Sequence, residues 1–324
     1  MIQDKCTRMI HSPPPLGEGT VMDSPPISTL HLSPFLRGIK ALWRLQSFGT
    51  RPGHARLISI RYSHYNERAR WALDLSPLRY TEDAHPPGFA QFAIQDVTEG
   101  RKSASPVLVL PGGEVLDDSA LILRRLHELF PEELAWLYPE TQAREIMKLE
   151  DELSVSLGAP TRQLAYAIAL DGENYPAARP YLVREAAGIE KLLFYFGGRR
   201  ISRAIVEIYN CRSACIPQAA DSLRQVFTGI SQRLSDGRPY LCADSFTAAD
   251  LTFAALSWPL IFPPRWEASG LFLPLEKLPR PWRALAEELR STPAGAHALR
   301  MYDQHRFAQP QTNETIAAHN PGRW

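Results

Sequence analysis

Between residues 57 and 129 the chain alternates short apolar runs with helix-type spacing, and beyond Pro131 the strand-type runs stop. Residues 57–61 read as a strand, 66–75 as a helix, 107–110 as a strand ending at Pro111-Gly112-Gly113, and 119–129 as a helix. Residues 79–82 form a weaker strand candidate, and His85-Pro86-Pro87-Gly88 reads as irregular backbone. A strand, a helix and a strand followed by a turn and a closing helix specify a small α/β domain. Residues 143–158, 178–209, 217–235, 248–260 and 281–300 then carry helix-type spacing or helix-favouring composition, so the second half is expected to be all-helical.

With 324 residues, 44% of them hydrophobic, the chain has room for two ordinary domains with cores. Its 36 basic and 35 acidic side chains leave a formal charge of +1, which gives no electrostatic reason to seek nucleic acid or acidic lipid. A small-molecule partner is therefore expected. The longest apolar stretch, residues 251–262, is interrupted by Thr252, Ser257 and Pro259 and falls short of the roughly 20 residues of a membrane span. The four cysteines, Cys6, Cys211, Cys215 and Cys242, include no CxxC pair, which disfavours a disulfide framework or a metal site. Cys211 and Cys215, four apart, are expected on one helix face as small buried apolar residues. A lone loop histidine such as His85 is ordinarily solvated, though its place beside Pro86 also allows it to reach a cleft.

Residues 1–55 differ from the rest, with Pro13-Pro14-Pro15, Pro25-Pro26 and few periodic apolar positions. Residues 24–56 lack Asp and Glu, and Ser33-Pro34 can open a helix with Phe35, Ile39, Leu42 and Trp43 on one side and Arg37, Lys40 and Arg44 on another. Two readings stand: a disordered leader on a cytoplasmic protein, or a targeting or surface-binding segment that sends it to an organelle. The expected organisation is an extension over 1–55, an α/β domain over 56–130, a linker over 131–142, a helical domain over 143–308 and a tail over 309–324.

Three segments carry a family resemblance. SHYNERARWAL, from Ser63, resembles the active-site segment of glutathione transferases, especially the omega-like form in which Cys-x-x-x-Glu-Arg-x-Arg opens the first helix; Ser63 stands at the first position, and Glu67, Arg68 and Arg70 match. SPVLVLPGGEVLDDSALIL resembles the second signature, with Pro106 at the cis-proline and Asp118 and Ser119 opening the next helix. RPYLCADSFTAADLTFAAL resembles the helical-domain capping motif, with Thr247 and Asp250 at its capping positions. LGAPTRQLAY, from Leu157, is similar to a lining helix of some bacterial members, which places Arg162 and Tyr166 toward the substrate. Residues 1–55, the final stretch and most of 170–215 lie outside the resemblance.

The resemblance implies a thioredoxin-like α/β N-terminal domain, an all-α C-terminal domain and glutathione as co-substrate. It also implies a small hydrophobic electrophile, a role in detoxification and a homodimer. Ser63 is then the catalytic residue, a hydroxyl at a helix start that stabilises the glutathione thiolate rather than attacking anything itself. Ser105, before the cis Pro106, pairs its backbone with the tripeptide, while Asp118 and Ser119 receive the γ-glutamyl end. Redox relatives need a protein sulfur, which Ser63 and Asn66 lack, so conjugation or isomerisation is expected over thiol transfer. Tyr62 and Tyr65 remain rival thiol donors, and a non-catalytic binding or scaffold protein on the same fold is the alternative.

Overall fold

The computed structural model describes residues 52–170, 174–184, 186, 188–270 and 272–306. The amphipathic helix expected around residues 33–44, Cys6 and the tail from 309 lie outside the described residues.

The first region is a four-stranded sheet in the order β2-β1-β3-β4. Its strands are β1 (Ala55–Ser59), β2 (Tyr80–Ala84), β3 (Val107–Val109) and β4 (Val115–Leu116), with β1 parallel to β2 and antiparallel to β3, and β3 antiparallel to β4. Successive strand residues point to opposite faces, and Leu57 and Ile58 are both fully buried, so the sheet is covered on both sides. Helices α1 (His64–Asp74) and α3 (Ser119–Leu129) pack together, while α2 (Ala90–Val97) leans on β1. This is the expected thioredoxin-like α/β arrangement. β1 begins and ends two residues before the spacing predicts: Ala55 already pairs with Tyr80 of β2, and Ser63 N–H donates to Ile60 C=O at 2.9 Å and closes a turn straight after the strand. α2 and β4 were not legible in the pattern.

The second region is helical. α4 (Ala143–Leu153) runs through a π-type turn (Ser154–Gly158) into α5 (Ala159–Leu170). There follow α6 (Tyr175–Leu182), α7 (Gly188–Ile208), α8 (Ile216–Arg233), α9 (Ala248–Ile261), α10 (Pro264–Ser269), α11 (Arg280–Arg290) and α12 (Pro293–Met301), which ends in a π-type turn (Tyr302–Arg306). Two spans read as single helices are each two. Residues 178–209 break between α6 and α7, and 281–300 break where the Thr292 side chain caps α12 by accepting from Gly295 N–H. Cys211 and Cys215 also do not share a helix: α7 stops at Ile208, Asn210 takes a left-handed φ of 48°, and Cys215 ends a separate 3₁₀ turn. Both side chains are buried, but only Cys211 is a free thiol: Cys215 is disulfide-bonded, which corrects the expectation of a small apolar residue in a chain without disulfides.

α9 is the axle of the fold. Every one of its residues is buried, as an all-round apolar helix requires, and it packs against α1, α4, α11 and α12. Its start is fixed by Asp250, whose carboxylate accepts from Thr247 N–H and hydroxyl, Leu241 N–H and His297 Nε2. No helix among the described residues is long and apolar enough to cross a membrane.

Candidate active site

The loop after β1 turns directly into α1, and Ser63 is its N-cap. Its φ of −77° and ψ of 132° are extended, its C=O accepts from Glu67 N–H, and its hydroxyl makes no capping bond to the helix. The first-turn N–H groups lack partners inside a helix, so negative charge is favoured at this end. Ser63 lines a narrow cleft between the two regions together with Ser105, Arg162 and Tyr166, four of the residues singled out in the sequence. Tyr65, Gln91 and Tyr209 line it as well.

The Ser105–Pro106 peptide bond is cis. Fully buried Asn66 donates from Nδ2 to Ser105 Oγ at 2.9 Å and ties this loop to the start of α1. Asn66 was noted in the sequence only as a residue unable to form a disulfide. Its position three beyond Ser63 was the available signal.

Pro106, Asp118 and Ser119 do not line the cleft. Asp118 is the N-cap of α3 and accepts from Ala120 N–H at 2.7 Å, with its side chain 36% exposed. Ser119 is buried, and its hydroxyl accepts from Arg68 Nε at 3.0 Å and Nη2 at 2.5 Å. Arg68 also donates to Ser154 Oγ and lies 3.8 Å from Asp118 and 3.9 Å from Glu150. Buried Glu150 has its carboxyl pushed up to about 7 by loss of solvent, with Arg68 and Arg124 pulling the other way.

The tyrosine rivals sit differently. Tyr65 presents its ring to the cleft, but its hydroxyl donates to Ser154 C=O at 2.7 Å. Tyr62 does not line the cleft, and burial holds its phenol far above the ordinary value. His64, beside Ser63, is pushed down to about 3, mainly by burial, so it is neutral and donates from Nε2 to Gly158 C=O at 2.9 Å.

α7 forms part of the opposite wall through Ile205, and Tyr209, just past its end, continues it. Gly88, at φ +90°, meets it so closely that an added Cβ would stand 2.6 Å from Ile201 Cγ2. His85 corrects the expectation of a solvated histidine: it is buried at the end of the contact between β2 and α7, with Nδ1 2.7 Å from Glu190 and Nε2 3.1 Å from Asp83. Burial opposes its charge, but the hydrogen bonds to Asp83 and Glu190 prevail and raise it to about 9. Among the described residues no group of three or more His, Cys, Asp or Glu is arranged to hold a metal.

Residues 57–134 match the glutathione S-transferase N-terminal domain. Among solved structures, a glutathione S-transferase of Ceriporiopsis subvermispora in complex with glutathione is 16% identical with a TM-score of 0.51, over 79% of this chain and 99% of that one. The beta-etherase LigF of Sphingobium sp. strain SYK-6 is 15% identical with a TM-score of 0.49, over 76% and 98%. A glutathione transferase of Phanerochaete chrysosporium is 14% identical with a TM-score of 0.49, over 80% and 100%. No curated protein matches the chain by sequence. At 16% identity the likeness to the Ceriporiopsis subvermispora structure is one of fold.

Proposed function

We propose that the chain, whose residues 57–134 match the glutathione S-transferase N-terminal domain, binds glutathione in the cleft at the start of α1 and activates its thiol for attack on a small electrophile. The observation that carries this reading is Ser63, a hydroxyl at a helix N-terminus, uncommitted to capping and facing the cleft. A free thiol is mostly protonated at pH 7. A donated O–H bond and the positive helix end favour the thiolate, so the thiol proton passes to water at lower cost. The sulfur then forms a bond to carbon, and in a substitution the leaving group departs with its electron pair. Ser63 gives up no proton and forms no covalent bond.

Ser105 offers backbone N–H and C=O to the cysteinyl portion, and Asp118, still partly exposed, offers a carboxylate to the γ-glutamyl ammonium. Ser119 contributes through its N–H at the start of α3, because Arg68 already occupies its hydroxyl. Arg162 and Tyr166 face the second substrate from α5. A second reading is glutathione binding without turnover, because at 16% identity the likeness to the glutathione-bound structure is one of fold.

A thermal shift in millimolar glutathione, run beside conjugation of 1-chloro-2,4-dinitrobenzene, separates the two. Ser63→Ala is expected to lower turnover about 10²-fold, the scale of one lost donor to a developing anion, with glutathione affinity nearly kept. Unchanged turnover removes Ser63 from the mechanism, and a shift with no turnover in the wild type supports the binding module.

A further inference from the structure

Buried guanidinium groups elsewhere in this protein meet carboxylates. Arg70 reaches Glu67 and Glu82 at 2.6 Å, Arg306 reaches Glu67 and Asp74, and Arg68 lies within 4 Å of Asp118 and Glu150. Arg162 does not. Its guanidinium carbon sits 4.6 Å from the Tyr209 ring centre and 5.8 Å from that of Tyr65, and it has no hydrogen-bond or ion-pair partner among the described residues. It is also the single charged residue among those lining the cleft, which otherwise presents hydroxyls, one amide and apolar groups.

An unpaired cation in a site of low dielectric is costly unless something negative completes it, and ring faces compensate only in part. The planar fork of arginine matches a carboxylate in bidentate fashion. We propose that Arg162 is the receptor for a ligand carboxylate in this cleft, an assignment that rests on the cleft being the substrate site. The carboxylate comes from an anionic electrophile or from the glycyl end of glutathione, and either source places the anion at the guanidinium fork, whose faces the Tyr65 and Tyr209 rings cover. Tyr65 is anchored by its bond to Ser154, so this aromatic seat is in place before the ligand arrives.

Three probe pairs, each differing in one carboxylate, test it in the full chain and in Arg162→Met. They are glutathione and its C-terminal amide by calorimetry, 4-(chloromethyl)benzoate and its methyl ester by turnover, and 4-methylbenzoate and 4-methylbenzamide by calorimetry without glutathione. The wild type is expected to favour the carboxylate by about tenfold or more in at least one pair, and Arg162→Met to bring that ratio close to one. The pair that responds names the source. Absence of a preference in all three pairs, or a preference that survives in Arg162→Met, overturns the assignment. If the melting curve of Arg162→Met shows a misfolded chain, Arg162→Gln and Arg162→Lys are read instead, with Lys expected to retain part of the preference and Gln none. A wild type that does not bind glutathione yet distinguishes benzoate from benzamide defeats the transferase reading and leaves the carboxylate receptor standing.

Discussion

Glu67 and Arg306, separated by 239 positions in sequence, meet in a buried ion pair with Nε 2.9 Å from Oε1. Glu67 stands in the first turn of α1, four residues after Ser63, and the pair therefore fastens the end of the helical region beneath the helix that carries the candidate catalytic hydroxyl. Arg306 also reaches Asp74 at 2.8 Å, and Glu67 keeps Arg70 at 2.6 Å. Removing Arg306 leaves Glu67 with Arg70 alone and takes the cation from Asp74. Arg306→Met is expected to destabilise the fold by about 3 kcal/mol, read from the urea midpoint at unchanged m. A midpoint within experimental error of the wild type would mean that the pair contributes nothing net.

The His85 contacts make stability depend on pH in a stated direction. The folded value of about 9 lies above the ordinary value of 6.5, so the stabilisation is complete below 6.5 and is lost as pH rises through 9. The groups facing the ring are Asp83 on β2, itself held by Arg56 of β1, and Glu190 on α7. Asp83 is shifted down by His85 and Arg56 against its own burial, so its contribution is lost at the acid end instead. Unfolding free energies followed from pH 6.5 to 9.5 are expected to fall by an amount on the order of 3 kcal/mol, with a flatter profile in His85→Asn. Parallel slopes in the two proteins would remove His85 as the cause.

Asn66 is placed to govern substrate affinity through the loop it holds. Its amide donates to Ser105 Oγ, and Ser105 supplies backbone to the proposed glutathione site. Asn66→Ala leaves Ser105 without that donor and is expected to raise KM for glutathione several-fold, about 1 kcal/mol, with kcat changed less. A fall in kcat at constant KM would point to Ser63 rather than to the loop.

How far the sequence could be read follows from whether a feature is local. The helix over 119–129 was readable because its cap, Asp118, and its apolar spacing are adjacent in the chain. α2 was hidden behind Pro86-Pro87-Gly88, and its buried residues Phe92, Ala93 and Ile94 are too few to establish a period. β4 has two residues and exists only through its pairing with β3. In the site, Ser63 and Ser105 were legible from motif position, whereas the arginine that takes the Ser119 hydroxyl comes from 51 residues away. Likewise, His85 is buried only because α7, whose sequence resembles nothing placed, lies across it.

Gly158 offers a last test of how the cleft wall is set. It closes the π-type turn between α4 and α5, its C=O accepts from His64, and a Cβ added there would drive into the hydroxyl end of Tyr65. Tyr65 cannot simply swing aside, because its hydroxyl is bonded to Ser154 C=O and its ring lies 4.5 Å from that of His64. Gly158→Ala is therefore expected to cost about 1 to 3 kcal/mol by overpacking and to lower kcat/KM by shifting the ring beside Arg162. Because the strain is proposed to arise from one contact, the double variant with Tyr65→Leu is expected to lose less stability than the two single losses added together. A thermodynamic cycle on the four proteins measures that coupling, and strict additivity would place the cost of Gly158→Ala elsewhere.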